Sequence, residues 1–422
     1  MHALTDVPPL AQIDATDPGL LQDPYAYYAR LREEAPVFRD PKTGIVAVSR
    51  YDLVQQVTRN PALFSSHFAH LLNSGGTGRL DQEEAAIMAA GLPWVDTLLT
   101  ADAPQHTRYR RIAMKAFTPA RVAAMQAYIE RTTHDLIDRF IGDGVVEFKT
   151  GFADHLPSIV VADALGIERG DVERFHDWLR AGIARLAGNA ERGERLASAR
   201  KEIELQQYFL AAIAARRAQR RDDIISDLVY ASLDDEHGGR PLNDAELYAI
   251  LQQIFNAGQE TTAHTLTYAI YQLLQHPQQL AEVQADPALA ANMVEESLRH
   301  LSPTNNMWRV VAADTELGGV ALKAGETMLL RFGAANRDGE RFADAERYDI
   351  HRDNAGRHLA FGHGAHVCLG AALARKEMVV ALPIVLQRLR NLRFAEGLNS
   401  FRFSPSPLLR GVLSLHLRFD RG

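Results

Sequence analysis

The chain has 422 residues, of which 46% are hydrophobic, a single cysteine and a formal net charge of −7. The acidic balance argues against nucleic acid as a partner, because phosphate binding calls for a surplus of basic side chains. One cysteine excludes an internal disulfide and is typical of a reducing compartment. The sequence shows neither a signal peptide nor an apolar run of the roughly 20 residues that a membrane span needs. We therefore expect a cytoplasmic protein without a membrane anchor.

Helical patterns dominate when the segments are taken in chain order. Residues 24–35 have the apolar spacing of a helix, and two short strands follow around a Lys-Thr-Gly turn. Residues 104–139 predict two helices, the second of which Pro119 can open. Residues 171–221 predict two more helices. This succession is typical of a mainly α fold.

Short β segments are dispersed along the chain. Alternating apolar residues place them at about residues 36–60, 308–331 and 400–420. The sequence contains no internal repeat, low-complexity tract or Gly/Ser linker. We therefore expect one composite domain over residues 1–422, mainly α with small β-sheets, and no fused reductase.

One predicted helix is unusually long. Residues 244–275 keep a helical pattern without a proline, and Asn243 with Glu246 forms a capping-box pattern at the start. At 1.5 Å per residue such a helix spans about 48 Å and would cross the molecule. Gly258 in its middle costs about 1 kcal/mol relative to alanine. Two explanations are open: a flat ligand approaches the backbone there, or another helix crosses at that point.

The sole cysteine, Cys368, lies in the segment FGHGAHVCLG. Three interpretations compete: a small buried apolar residue, a zinc ligand together with His358, His363 and His366, or a thiolate ligand of haem iron. Four zinc ligands so close together over a glycine-rich loop would be cramped. The glycines suit a loop that passes close to a planar ligand. A helix that begins at about Leu369 would favour the thiolate over the thiol.

The segment FGHGAHVCLGAALAR resembles the haem-binding signature of the cytochrome P450 family. The resemblance implies the cytochrome P450 fold, with haem b between the long central helix and the helix after the cysteine loop. Cys368 would then be the axial thiolate of the iron, which favours O–O cleavage. Phe361 would pack near the sulfur. The matching positions are Phe361, Gly362, Gly364, His366, Cys368, Gly370, Leu373, Ala374 and Arg375.

The same resemblance implies a set of side chains for the haem propionates. His106 and Arg110 are four residues apart and would share a helix face. Arg309 and His366 occupy two further positions at which the family binds propionates. Buried carboxylates need such partners, and the hydrogen bonds to them would be charge-assisted.

A second family motif, E-x-x-R, is matched by Glu296 and Arg299. Taken alone, such a pair is most simply a surface ion pair of little energetic consequence. By resemblance it would be structural and hold the fold around the cysteine loop. The third member would be Arg347, with Arg352 as the alternative, because Tyr348 stands where the family usually has Phe.

The middle of the long helix, AGQETT, resembles the segment that crosses over the haem in this family. Ala257 and Gly258 would let the helix lie against the ring and leave room for oxygen. Glu260 and Thr261 would be the acid–alcohol pair, because oxygen activation consumes two protons that a carboxylate can relay from solvent. The alternative for Thr261 is a hydroxyl bonded to its own helix carbonyl.

Four segments should line the substrate pocket by analogy with the family. One is the loop at residues 64–100, which we expect to act as a mobile lid. The pocket would be apolar with a few hydroxyl or amide groups, as small-molecule sites usually are. This suits a moderately hydrophobic substrate with an oxygen function. The predicted lining residues are Ile254, Phe255, Ala257, Thr304, Asn305, Leu408 and Leu409.

The resemblance implies a monomeric haem-thiolate monooxygenase that hydroxylates, epoxidises or dealkylates a small molecule with O2. Electrons would come from NAD(P)H through an external ferredoxin or flavodoxin. The partner would dock below the cysteine, where positive charge is available from Arg108, Arg111, Lys115 and Lys376. One alternative is a peroxygenase driven by H2O2, against which the acid–alcohol pair speaks. The other is a haem sensor without turnover.

Overall fold

The structure is a computed structural model that describes residues 8–73, 81–167, 169–187, 191–233 and 240–420. The α-helices in these ranges are α1 (Pro18–Gln22), α2 (Tyr25–Glu34), α3 (Tyr51–Arg59), α4 (Ala69–Asn73), α5 (Gln82–Ala89), α6 (Gln105–Met114), α7 (Pro119–Ala124), α8 (Gln126–Asp138), α9 (His155–Leu165), α10 (Val172–Ala187), α11 (Arg192–Ala218), α12 (Ile224–Val229), α13 (Asp244–Gln275), α14 (Pro277–Ala285), α15 (Ala290–Leu301), α16 (Phe332–Ala335) and α17 (Ala371–Arg388). The β-strands are β1 (Val37–Arg39), β2 (Val46–Val48), β3 (Phe64–Ser65), β4 (Val145–Glu147), β5 (Ser232–Leu233), β6 (Arg240–Pro241), β7 (Asn306–Val311), β8 (Thr315–Leu317), β9 (Val320–Leu322), β10 (Thr327–Arg331), β11 (Arg390–Phe394) and β12 (His416–Asp420).

The largest sheet has the strand order β1-β2-β10-β7-β3. Strands β2 and β10 run parallel, and the other neighbours are antiparallel. In its centre, Leu329 pairs with Ala47 on one side and Trp308 on the other. The predicted β segments at 36–60 and 308–331 therefore meet in one sheet. The C-terminal segment does not join them, because β12 pairs with β11 and β4 in a separate sheet.

The helix predictions are largely confirmed. Residues 24–35 contain α2, and residues 171–221 contain α10 and α11. Residues 104–139 contain three α-helices rather than two, because α7 and α8 divide at Met125, where the sequence has no helix breaker. Pro119 begins α7 as expected, and the Thr118 side chain caps it. None of the helices in the described ranges is both long and apolar enough to cross a bilayer.

The long central helix is confirmed from its first residue to its last. Asn243 and Glu246 form the reciprocal capping box, with hydrogen bonds of 2.8 and 2.9 Å. At Gly258, an added Cβ would lie 2.9 Å from the Val161 side chain of α9. Of the two explanations for this glycine, the structure thus displays the helix crossing. The glycine lets α9 and α13 approach closely.

The hydrophobic core is divided in two along α13. The first half of the helix packs against α9, α10 and α11 through residues such as Leu247 and Phe255. The second half packs against α8, α9, α15 and α17 through residues such as Leu266 and Ile270. Residues 256–262 belong to neither core cluster. This central stretch of α13 borders a cavity instead.

Candidate active site

The cavity has a volume of about 610 Å³ and lies between the middle of α13 and the cysteine loop. Both segments singled out from the sequence, AGQETT and FGHGAHVCLG, therefore border one space. A flat ligand placed there would contact both. Six residues mark its walls: Ala257 and Thr261 on α13, Phe361 and Cys368 on the loop, and Arg110 and Arg309 at the side.

Glycines shape the loop that presents Cys368. The Cys368 N–H donates to the carbonyl of Phe361 at 2.8 Å. Gly362 and Gly364 have φ angles of 70° and 73°, a region that side chains other than glycine rarely adopt. A Cβ at Gly364 would also collide with a backbone carbonyl of α3. Helix α17 begins at Ala371, two residues later than predicted.

The surroundings of Cys368 do not by themselves make it a thiolate. Its side chain is exposed, but it lines the cavity deep within the protein, so that the free surface faces this space. Burial raises the pKa of the thiol, and the N–H groups of Gly370 and Ala371 lower it by less. The N–H groups at the helix start thus favour the thiolate, as predicted, but burial outweighs them. A metal cation in the cavity would favour the thiolate, since thiolate is the form that binds metal.

The zinc hypothesis is wrong. His358 Nε2 lies 3.2 Å from a Glu295 carboxylate oxygen, and His363 Nδ1 lies 3.3 Å from the Thr58 hydroxyl. His366 is directed elsewhere, with Nδ1 3.2 Å from a backbone carbonyl. Across the described ranges, no three His, Cys, Asp or Glu side chains are grouped as metal ligands would be.

The four residues predicted to bind propionates are brought together. The rings of His106 and His366 stack with centroids 3.9 Å apart. Burial, assisted by Arg110, lowers the pKa of His106. Burial, assisted by His106 and Arg309, lowers the pKa of His366 to about 3. Burial also lowers the pKa of Arg309 to about 10.

Cations and burial outweigh the negative charge near this cluster. Asp102 is the acid that opposes them, and it already accepts hydrogen bonds from the Ser65 hydroxyl and the Ser66 N–H. His106 Nε2 is buried without a hydrogen-bond partner among the described residues. A ligand that carries carboxylates would satisfy this group and the neighbouring cations. The residues present therefore fit the haem that the sequence predicts.

The wall of the cavity that α13 forms carries the predicted acid and alcohol. Glu260 and Thr261 both line the cavity, as do Ala257 and Gly258. The Thr261 hydroxyl donates to the Ala257 carbonyl at 3.0 Å, which is the alternative that the sequence left open. The hydroxyl oxygen can still accept a hydrogen bond from the cavity. Glu260 lies beside His264, a residue that the sequence analysis did not single out.

The structural Glu–Arg pair is present and fully buried. Arg299 donates to both carboxylate oxygens of Glu296, at 2.7 and 2.8 Å. The third member is Arg352, whose Nε lies 3.2 Å from both oxygens. The assignment of Arg347 is wrong, because its side chain is 65% exposed and pairs with Asp349. Arg347 contributes only its backbone carbonyl, which accepts from Arg299 and Arg352.

We expect Arg352→Leu to lower the free energy of unfolding by about 3–5 kcal/mol, because it leaves part of a buried ion network uncompensated. Arg347→Leu is the matched control and should change it by less than about 0.5 kcal/mol. Urea unfolding of the two variants beside the parent protein measures both values. Equal destabilisation by the two substitutions would contradict this assignment of the network.

A second, partly buried network is one that the sequence did not indicate. Arg375 binds both carboxylate oxygens of Glu295, at 2.6 and 2.9 Å, and its guanidinium lies 4.5 Å from the ring centroid of Phe361. Burial raises the pKa of Glu295, but His358 and Arg375 outweigh it and lower that pKa to about 2. The network ties α15 to both ends of the cysteine loop. Arg375 belongs to the signature, but nothing in the sequence pairs it with Glu295.

Most predicted pocket residues line the cavity, and two do not. Ile254, Ala257, Thr304, Leu408 and Leu409 are on its surface. The loop at 64–100 contributes its last part, near Leu99, whereas residues 74–80 of the predicted lid lie outside the described ranges.

The assignments of Phe255 and Asn305 to the pocket are wrong. Phe255 packs into the core, with its ring centroid 5.0 Å from that of Phe175. The Asn305 side chain accepts a hydrogen bond from the Tyr28 hydroxyl and faces α2. Each of the two directly follows a residue that does line the cavity, Ile254 or Thr304, and its own side chain points away from the cavity.

Comparison with known proteins agrees with this geometry. The Cytochrome P450 family profile matches residues 191–397. Cytochrome P450 107B1 of Saccharopolyspora erythraea is 35% identical over 96% of this chain and 97% of its own. The steroid C26-monooxygenase of Mycobacterium tuberculosis is 35% identical, over 93% of each chain.

Solved structures share the fold as well. Cytochrome P450 CREJ, in complex with (4-ethylphenyl) dihydrogen phosphate, superposes with a TM-score of 0.88 at 29% identity, over 98% of this chain and 100% of its own. The predicted fold class is thus confirmed. Together with the cavity, the cysteine loop and the central helix, these likenesses show that the chain belongs to the cytochrome P450 family and is an oxidoreductase of the monooxygenase class.

Proposed function

We propose that this chain binds haem b through Cys368 and inserts one atom of O2 into a C–H bond of a moderately hydrophobic small molecule. One observation carries the proposal: the same cavity is bordered by Cys368 on one side and by Glu260 and Thr261 on the other. A thiolate ligand and a proton-delivering pair are the two protein contributions that this chemistry needs.

The residues around the cavity would have distinct roles in this reaction. Bound haem would supply the iron at which O2 is activated. The cluster of His106, Arg110, Arg309 and His366 would hold its propionates and fix its orientation. The Thr261 hydroxyl would hold a water or the oxygen by a hydrogen bond, and Glu260 would pass protons to that position. The apolar lining would exclude bulk water from the reacting centre.

The substrate would lie in the part of the cavity between α13, the 94–100 segment and the 404–409 segment. This part carries Leu98, Leu99, Leu408 and Leu409, with few polar groups such as Thr304. The steroid C26-monooxygenase, by its name, acts on a steroid. A molecule of comparable size and polarity with an oxygen function suits this lining.

We expect Leu408→Phe to change the ratio of oxidation products or to weaken substrate binding several-fold, because the larger ring takes space from the cavity. Chromatography of the products and titration of the substrate-induced spin-state change measure the two effects. Leu398→Phe, at a residue that is 51% exposed, is the matched control and should change neither. An unchanged product ratio together with unchanged affinity in Leu408→Phe would show that Leu408 does not contact the substrate.

Electrons would come from NAD(P)H through a separate ferredoxin or flavodoxin, to a monomer that folds as one unit. Arg111 and Lys115 are exposed at the end of α6, and Met114 beside them is 52% exposed. An exposed patch with cations around an apolar side chain suits an acidic redox protein. Lys376, another of the cations predicted for this surface, lies on α17 and donates to Gln126 of α8.

Reconstitution tests the proposed activity against its alternatives. The purified protein is given a candidate substrate with NADPH, ferredoxin and ferredoxin reductase, or with H2O2 alone. Product that depends on NADPH and O2 supports the monooxygenase. Product formed only with H2O2 would indicate the peroxygenase, and haem binding without product from any substrate that shifts the spin state would favour the sensor.

A further inference from the structure

Glu260 lines the cavity and also contacts a second ionisable side chain, that of His264. One helical turn further along α13, the imidazole of His264 lies against its carboxylate, with Nε2 3.2 Å from Oε1. The side chain of Glu260 is 17% exposed and that of His264 is 2% exposed. Residues four apart on a helix share a face, so that the helix itself fixes this contact. Glu260, the predicted proton donor, is therefore in contact with a histidine.

Packing alone does not explain a histidine at this position. The backbone of Gly411 presses on the ring, because a Cβ there would collide with His264 Nδ1. In the described part of the chain, neither ring nitrogen has an aligned hydrogen bond, and Glu260 Oε2 is also buried without one. Unsatisfied buried polar groups are destabilising, and an apolar side chain would fill the same space without that penalty.

The charges around the pair keep Glu260 ionised. Burial raises the pKa of Glu260, but the imidazole of His264, with a smaller contribution from Lys149, outweighs it and holds that pKa below its ordinary value. The Lys149 ammonium is itself 2.7 Å from Asp154. Arg410, beside Gly411, is turned away and donates to backbone carbonyls near the end of α1. His264 is thus the partner in closest contact with Glu260.

We propose that His264 is a positioning residue for Glu260 that also stores the proton which Glu260 delivers. The inference rests on the proposed function. In the transfer, the N–H bond at His264 Nε2 breaks and an O–H bond forms on the Glu260 carboxylate. Glu260 then releases one proton into the cavity beside Thr261, and His264 regains one proton from solvent. Each proton that leaves is matched by one that enters, and no electron moves between the two side chains.

Two substitutions separate the proton-storing role from simple packing. His264→Gln keeps a donor within reach of Glu260 but cannot titrate, whereas His264→Leu removes both properties. Product formed per NADPH oxidised is measured from about pH 6 to 8.5, across the range in which histidine changes charge. In the parent protein we expect this coupling to fall as pH rises, because fewer protons then reach the buried pair. In His264→Gln the pH dependence should vanish, and in His264→Leu coupling should fall about tenfold at every pH.

A matched control comes from the adjacent residue on α13. Gln259 is buried and bonded to Ser158 of α9, on another side of the helix from His264. Gln259→Leu disturbs the helix beside Glu260 without touching the pair, and should keep the coupling and pH profile of the parent. Haem content and the substrate-induced spin-state change show whether each variant is folded.

Infrared spectroscopy supplies a readout that is independent of turnover. With His264 removed, burial of Glu260 is no longer opposed by the imidazole, and the pKa of the carboxyl group should rise. A C=O stretching band of a protonated carboxyl should then appear in His264→Leu. It should be absent from the parent and from the His264→Leu/Glu260→Gln double variant.

The outcomes separate this inference from the function on which it rests. If Glu260→Gln couples as well as the parent, Glu260 delivers no protons, and both the proposed role of Glu260 and the inference are wrong. If Glu260→Gln uncouples while both His264 variants keep the parent pH profile and show no new carboxyl band, only the inference is wrong. Loss of the pH dependence in His264→Gln together with the new band in His264→Leu would establish it.

Discussion

Cys368→Ala should bind CO without a red-shifted Soret band and lose almost all of its product formation. Cys368 is the sole cysteine of the chain, and among the residues on the loop side of the cavity it is the one that can supply a thiolate. Without it, the chain has no thiolate to push electron density onto the iron, and O–O cleavage loses its main electronic assistance. Product formation should fall by about 1000-fold or more, because this ligand acts directly on the reacting centre.

A second variant separates loss of the ligand from loss of the fold. Cys368→His offers an imidazole in the same loop and should give the Soret band of histidine-ligated haem. The network of Glu295, Arg375 and His358 does not involve the cysteine, so circular dichroism should be unchanged in both variants. A thiolate-type spectrum in Cys368→Ala would show that the ligand had been wrongly assigned.

Thr261→Ala should keep its haem and its substrate affinity but divert reducing equivalents to H2O2. The hydroxyl oxygen lines the cavity beside Glu260, where it can accept a hydrogen bond while it donates to the Ala257 carbonyl. Without it, proton delivery is misdirected, and reduced oxygen leaves as peroxide. Product per NADPH should fall about tenfold or more, within the range for loss of one proton-transfer group. Simultaneous assay of NADPH, product and peroxide measures the diversion.

Thr267→Ala is the matched control for this prediction. Thr267 lies on the same helix, and its hydroxyl makes the same type of bond, to the Ala263 carbonyl at 2.8 Å, but it is buried in the core. It should leave the ratio of product to peroxide unchanged. A Thr261→Ala protein that is as well coupled as Thr267→Ala would contradict the role of the alcohol.

The features that the sequence predicted best are those encoded by neighbouring residues. The capping box at Asn243 and the absence of a proline define α13 to within a residue. The glycines around Cys368 define the loop, because its positive φ angles are a local requirement. The propionate cluster was predicted only through the family resemblance, since His106 and Arg309 are some two hundred residues apart in the chain.

The features that the sequence did not predict depend on contacts between distant segments or on the direction of a side chain. Arg347 and Arg352 lie five residues apart in an irregular segment, and only the turns of that segment decide which one reaches Glu296. The ring of His264 is positioned by Gly411, from a turn near the C-terminus. No pattern around either residue indicates that the two meet.

The absorption spectrum of the dithionite-reduced, CO-bound protein reports the ligand of the iron, and therefore tests whether Cys368 binds haem as a thiolate. We expect a strongly red-shifted Soret band from haem ligated by the Cys368 thiolate. A Soret band typical of histidine-ligated or thiol-ligated haem, or no haem band at all, would contradict it.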